Sequence, residues 1–141
     1  MQNTLRRLAT MASQNPTYIY KILPSATVDS RFYFPTPIPS SHEFFLSELD
    51  SKDGFVHLST AQQVPGTLKR FFADAEQVAI LRIEYARLSA WKRVRWEQAG
   101  NGESYPHLYA LLEGQDIDSY KEIEQGGDWD KALAAVSNWL V

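Results

Sequence analysis

The chain has 141 residues, 44% hydrophobic and 22% charged, with 14 Lys and Arg against 17 Asp and Glu and a formal charge of −3. That length supports a hydrophobic core without cross-links. The absence of cysteine excludes disulfides, thiolate metal sites and cysteine nucleophiles. No apolar run reaches the roughly 20 residues of a membrane span, and a mildly acidic chain lacks the clustered positive charge of a general nucleic-acid binder. Neither membrane nor nucleic acid is therefore an expected partner, and the expected location is cytoplasmic.

Charge is unevenly distributed. Residues 1–28 contain Arg6, Arg7 and Lys21 and no acid, for +3, which leaves −6 on the remainder. Residues 1–16 are expected to form a disordered tail outside the fold, with a weak likeness to a mitochondrial presequence as the alternative. Residues 17–141 are expected to form one α+β domain.

Tyr18–Leu23, β-branched and aromatic and stopped by Pro24, predicts a first strand. Pro35, Pro37 and Pro39 impose an extended segment, after which His42–Leu49 is expected as a short helix capped by Ser40 or Ser41. Asp53-Gly54 signals a turn into a strand over Gly54–Thr60. Thr60 with Gln63 forms a helix-capping pattern, and Val64, Leu68, Phe71 and Phe72 share one helical face. Strands are expected at Val78–Tyr85, Val94–Glu97, His107–Leu112 and Ser119–Ile123, in a mainly antiparallel arrangement, with residues 98–104 as a loop. Asp128 caps a last helix, expected over 128–141, with Trp129, Ala132, Leu133, Val136 and Leu140 on one stripe.

Strand alternation converts these elements into a site expectation. If Val56 and Leu58 face the core, His57 and Ser59 point together to the other side. By the same period, Arg95 and Glu97 oppose Val94 and Trp96, and His107 and Tyr109 oppose Leu108 and Ala110. Polar alternation is also what any sheet with one solvated face displays. Solvated strand faces are ordinarily built from Thr, Lys, Glu and Ser, however, and two of the three histidines of this chain lie on these faces; histidine is the side chain best suited to proton transfer near neutral pH. Three readings stand: a nucleotide-binding enzyme, a non-catalytic binding module for a small molecule or peptide, and a metal-dependent enzyme with His57, His107 and Glu97 as ligands. Glycine-rich phosphate loops, His-Glu-x-x-His helices and Gly-x-Ser-x-Gly elbows are absent from the sequence.

The residues Asp53-Gly-Phe-Val-His-Leu-Ser-Thr60, Arg70-Phe71-Phe72, Leu81-Arg-Ile-Glu84, Arg95-Trp-Glu97 and Pro106-His-Leu-Tyr109 together resemble the family called domain of unknown function 952, over about residues 18–123. That family is similar in fold to the ADP-ribosyltransferase-like superfamily, in which two split antiparallel sheets with flanking helices clamp NAD. The resemblance implies that fold, with residues 128–141 as an additional C-terminal helix, and a nucleotide-type ligand, with NAD as the candidate cofactor and transferase activity. It implies Gly54–Thr60 as the serine-bearing strand and Glu97 as the carboxylate; together with the three polar pairs this gives Glu97, His57 and His107 as the expected catalytic residues and Lys21, Ser59, Thr60, Arg95, Trp96 and Tyr109 as the expected ligand-binding residues, with no resident metal expected. Tyr20-Lys21 stands where the superfamily carries a His or Arg on its first strand.

Overall fold

The computed structural model describes residues 15–141; the expected tail over 1–16 falls almost wholly outside them. The three longest strands, β1 (Tyr18–Pro24), β3 (Gln77–Glu84) and β6 (Ile117–Glu124), form one antiparallel sheet in the order β1-β3-β6. Three shorter strands, β2 (Val56–His57), β4 (Val94–Gln98) and β5 (Ser104–Leu108), form a second antiparallel sheet in the order β2-β5-β4. Four α-helices complete the described residues: α1 (Glu48–Asp53), α2 (Val64–Phe71), α3 (Tyr85–Trp91) and α4 (Trp129–Ala134). The expected α+β class holds, with two small antiparallel sheets.

Strands β1 and β3 of the first sheet are buried on both faces, which explains the near-continuous apolar run Val78-Ala-Ile-Leu81. Ile19, Leu23, Leu81 and Ile83 face the second sheet and meet Val56, Leu58 and Leu108 in one core cluster. Tyr20, Ile22, Val78, Ile80 and Ile123 face the other way and are covered by Val64 and Leu68 of α2 and by Trp129 and Leu133 of α4. The space between the sheets is thus filled with apolar side chains, and the clamp-like gap that the resemblance implied is not open there. The outer face of the second sheet is left to solvent.

Several expected boundaries move. The helix expected over His42–Leu49 forms instead over Glu48–Asp53: Ser47 Oγ accepts from Asp50 N at 3.1 Å, and Gly54, at φ 80°, ends it by donating to Asp50 O. Only glycine adopts that left-handed conformation without cost. The strand expected over Gly54–Thr60 pairs only at Val56 and His57, and Ser59 then leaves for β1, where Ser59 and Tyr20 exchange both backbone hydrogen bonds at 2.8 and 2.9 Å. Tyr85, expected to end a strand, instead opens the helix Tyr85–Trp91. The strand expected over His107–Leu112 runs from Ser104 to Leu108. Phe71, expected on the apolar face of α2, is exposed beneath the Arg70 guanidinium. The terminal helix stops at Ala134, well short of residue 141, although Asp128 caps it as expected by accepting from Asp130 N and Lys131 N.

Beyond that helix the chain turns back, and the Tyr20 hydroxyl accepts from Val141 N at 3.0 Å and faces Val141 O at 2.9 Å. The Pro-rich segment, with a cis peptide at Thr36–Pro37, packs on Gly114 so closely that a Cβ there would lie 1.8 Å from Pro39 O. No side chain other than hydrogen fits at that crossing.

Candidate functional site

The register of the second sheet places His57 opposite His107 and His107 opposite Arg95, one row across all three strands. Side chains in such a row share a face. The two imidazole centroids are 5.3 Å apart, and the Arg95 guanidinium lies 5.8 Å from the Tyr109 ring centroid. Glu97, two residues beyond Arg95, closes the group: His107 Nδ1 donates to Glu97 Oε1 at 2.8 Å and the Tyr109 hydroxyl donates to the same oxygen at 2.6 Å. The hydrogen bond from Tyr109, then that from His107, holds the Glu97 carboxyl below the usual carboxylate range, and Glu97 in turn raises the Tyr109 hydroxyl. Glu97 is therefore ionised at neutral pH and accepts from both partners.

His57 is oriented by residues that the sequence reading did not select. Its Nδ1 donates to Asp50 Oδ1 at 2.6 Å, its backbone N–H donates to the same oxygen at 3.1 Å, and its Nε2 lies 3.0 Å from Asp53 Oδ2. Asp50 and Asp53, three apart on α1, reach the same ring because residues i and i+3 share a helix face. Asp50 is 2% exposed. Burial pushes its carboxyl up, but hydrogen bonds from His57 and Lys21 outweigh this and hold it below the ordinary range. Phe55 supplies the floor of the site, stacked on His107 with centroids 4.0 Å apart and tilted against His57 and Tyr109.

Of the expected ligand-binding residues, Arg95 and Tyr109 take their places on this face beside Glu97, His57 and His107. The other four are committed elsewhere. Lys21 is buried and donates to Asp50 Oδ2 at 2.6 Å and to His57 O at 3.2 Å; burial pulls its ammonium down against the pull of Asp50, and it has no charge to spare for a ligand. Ser59, carried away from His57 when the chain leaves the second sheet, shares a 3.1 Å hydrogen bond with the Thr67 hydroxyl of α2. Thr60 and Gln63 cap the turn into α2 reciprocally, at 3.1 and 3.3 Å. Trp96 points to the opposite side of β4 and donates to the Tyr85 hydroxyl at 3.1 Å.

The metal reading with His57, His107 and Glu97 as ligands loses its geometry. Among the described residues no group of three or more His, Cys, Asp or Glu could hold a metal ion. The reason lies in the partners: His107 Nδ1 is spent on Glu97, and both His57 nitrogens face aspartates. The site is an open sheet face, and two hollows of about 440 and 310 Å³ lie elsewhere, one beside Ser25, Glu76 and Gly126, the other beside Phe32, Ala79 and Tyr120.

Asp50, Asp53 and Phe55 had a signal in the sequence. Ser47-x-x-Asp50 is a helix-start pattern, Asp53 ends that helix at the Gly54 stop, and Phe55 alternates with His57 on the strand that follows.

Comparison with known proteins agrees with this architecture. The model of the family described as "Protein of unknown function (DUF952)" matches residues 38–120. The crystal structure of protein CC0527 from Caulobacter crescentus is 28% identical and superposes with a TM-score of 0.64, covering 79% of this chain and 90% of that one. The solution NMR structure of CC0527, also 28% identical, covers 77% and 85% with a TM-score of 0.55. None of the curated proteins matches this chain.

Proposed function

The chain belongs to the DUF952 family of proteins of unknown function, and from that premise we propose that the outer face of its second sheet binds a nucleotide-type ligand, one with a ribose and an anionic group, and acts on it chemically. The observation that carries the reading is the pairing of each imidazole with a carboxylate, His107 with Glu97 and His57 with Asp50, on a face that also offers an uncommitted guanidinium at Arg95. Among the described residues Arg95 has no carboxylate within ion-pairing distance, so its charge is available to a phosphate. Glu97 spends one oxygen on His107 and Tyr109, and its second oxygen, without a hydrogen-bond partner among the described residues, can accept from a ribose hydroxyl. Phe55 and Tyr109 provide aromatic surface for a base. Fixed charges arranged ahead of reaction are what a charged transition state requires.

The ADP-ribosyltransferase-like resemblance supports a ribose-bearing ligand, and two separate antiparallel sheets are compatible with it. NAD itself fits the residues only in part. The phosphate and ribose groups have candidate partners, whereas the anchor expected on the first strand is Lys21, already paired with Asp50, and the space between the sheets is filled.

Calorimetric titration with ADP-ribose, NAD, adenosine 3′-monophosphate and 2′-phosphorylated nucleotides tests the proposal. Binding weakened by Arg95→Ala is the expected result. Absence of binding of every one of them up to millimolar concentration overturns it.

A further inference from the structure

The two edges of the second sheet are finished differently. In an antiparallel ladder every other residue of an edge strand turns its N–H and C=O away from its neighbour. On β2 the outward residue is His57, and both of its groups are taken: the N–H donates to Asp50 Oδ1 and the carbonyl accepts from Lys21 Nζ. On β4 the outward set follows from the bonds at its ends. Tyr109 N donates to Arg93 O and Ala99 N to Glu103 O, so Arg93, Arg95, Glu97 and Ala99 turn their backbone to β5. Val94, Trp96 and Gln98 turn theirs to the free edge. Among the described residues nothing hydrogen-bonds to the backbone of those three.

An open edge is a template for a further strand, and native chains ordinarily blunt it with proline, a bulge or an inward charge. Strand β4 has none of these. It carries Trp96 at its middle, 36% exposed, and follows Trp91 at the end of α3, 87% exposed. We infer that β4 pairs antiparallel with β4 of a second copy of this chain, about a two-fold axis at Trp96, so that the second sheets of the two copies join into one sheet of six strands.

Side-chain charge selects that register. With the axis at Trp96, Trp96 lies opposite the partner's Trp96 and Val94 opposite the partner's Gln98, so every outward backbone group of the strand is satisfied. The same register sets Arg95 opposite the partner's Glu97, once on each side of the axis. Moving the axis to Arg95 or to Glu97 sets like charges directly opposite, which destabilises, and puts Gln98 or Val94 against a residue outside the strand. The Arg95 guanidinium has no carboxylate of its own chain, and Glu97 has one oxygen left over after His107 and Tyr109. A copy of the strand supplies both needs at once, whereas a purely acidic peptide would meet Glu97 and a purely basic one Arg95. Each candidate site then holds the partner's Arg95 beside its own Glu97. A carboxylate oxygen has two lone pairs and a guanidinium several N–H donors, so Glu97 and Arg95 keep capacity for a ligand. The pairing goes beyond the nucleotide reading and does not depend on it.

Pairing through one five-residue strand makes a small interface, so sedimentation equilibrium of the full chain is run from about 10 to about 500 μM, where a weak dimer shows. A monomer–dimer equilibrium is expected. Arg95→Glu sets acids opposite each other and Glu97→Arg sets bases opposite each other; each variant alone is expected to dimerise at least about tenfold more weakly. Their equimolar mixture is expected to regain the association of the unsubstituted chain, because the mixed pair meets opposite charges at both positions. Amide exchange reads the edge directly, and carries the test alone should a variant fail to fold: Val94, Trp96 and Gln98 are expected to slow as concentration rises, with Arg95 and Glu97 slow throughout. A chain that stays monomeric at the top of the range overturns the inference, as does a dimer that leaves those three amides unprotected. A mixture no tighter than its components, or amides already slow in the monomer, also overturns it. Slowing of the same amides by a peptide of alternating Glu and Val, in a chain that does not dimerise, overturns it in favour of a peptide partner.

Discussion

The two sheets divide the work of the molecule. Strands β1 and β3 of the first are seven and eight residues long, apolar on both sides and sandwiched between two core clusters. The second sheet, with strands of two to five residues, turns Val56 and Leu108 to the core and His57, His107, Arg95 and Glu97 outward. The first can vary nothing without leaving a cavity; the second has one face on which chemistry costs little packing. A charged connection runs from Lys21, the sole charged residue of β1, which reaches across to Asp50 and through it to His57.

The largest expected effect breaks that connection. Asp50→Ala leaves the buried Lys21 ammonium unpaired and is expected to cost about 3–5 kcal/mol, read as a lower denaturant midpoint. It should also abolish the orientation of His57. Leu81→Ala, in the first sheet, is expected to cost about 3 kcal/mol through its cavity, with nucleotide binding on the outer face kept once the variant is folded. If Leu81→Ala alters ligand affinity as much as Asp50→Ala does, the division between the sheets is wrong.

Acid sharpens the same comparison. Because the folded-state carboxyl of Asp50 titrates below its unfolded value, near 3.9, its contribution is complete above that value and is lost as pH falls through the folded one. Denaturation curves from pH 6 down to 2 should show a loss of stability that Asp50→Asn flattens. Tyr20→Phe removes the hydroxyl that holds Val141 and is expected to cost about 1 kcal/mol, with slower unfolding as the result that would contradict it. Smallest in stability is Glu97→Gln, expected to leave the melting temperature unchanged and to lower turnover far more than nucleotide affinity; affinity left nearly intact, with no turnover in the unsubstituted protein either, would favour a non-catalytic binding module.

Much of this face was legible beforehand because period-two alternation holds wherever a strand is paired on one side and solvated on the other. Val94-Arg-Trp-Glu97 and His107-Leu-Tyr109 obey it, and Arg95, Glu97, His107 and Tyr109 meet as expected. Alternation failed at Ser59 because the strand ends at His57, a tertiary event with no local mark. Lys21 is expected to bind ligand because sequence order does not show that Asp50, 29 residues later, neutralises it. Asp50 itself was hidden by a helix placed one and a half turns too early, although Ser47 three residues before Asp50 carried the start signal.

The passage from His57 to Ser59 has a further consequence. In three residues the chain exits one sheet, crosses the core at Leu58 and enters the other with two backbone hydrogen bonds to Tyr20. There is no slack. Adding one residue at Leu58 would force a choice: keep Ser59 on Tyr20 and rotate His57 to the wrong side, or keep His57 facing His107 and forfeit the junction. The spacing of this segment, more than the identity of Leu58, acts as the gauge of the site. Substitutions there should be tolerated where single-residue insertions or deletions are not.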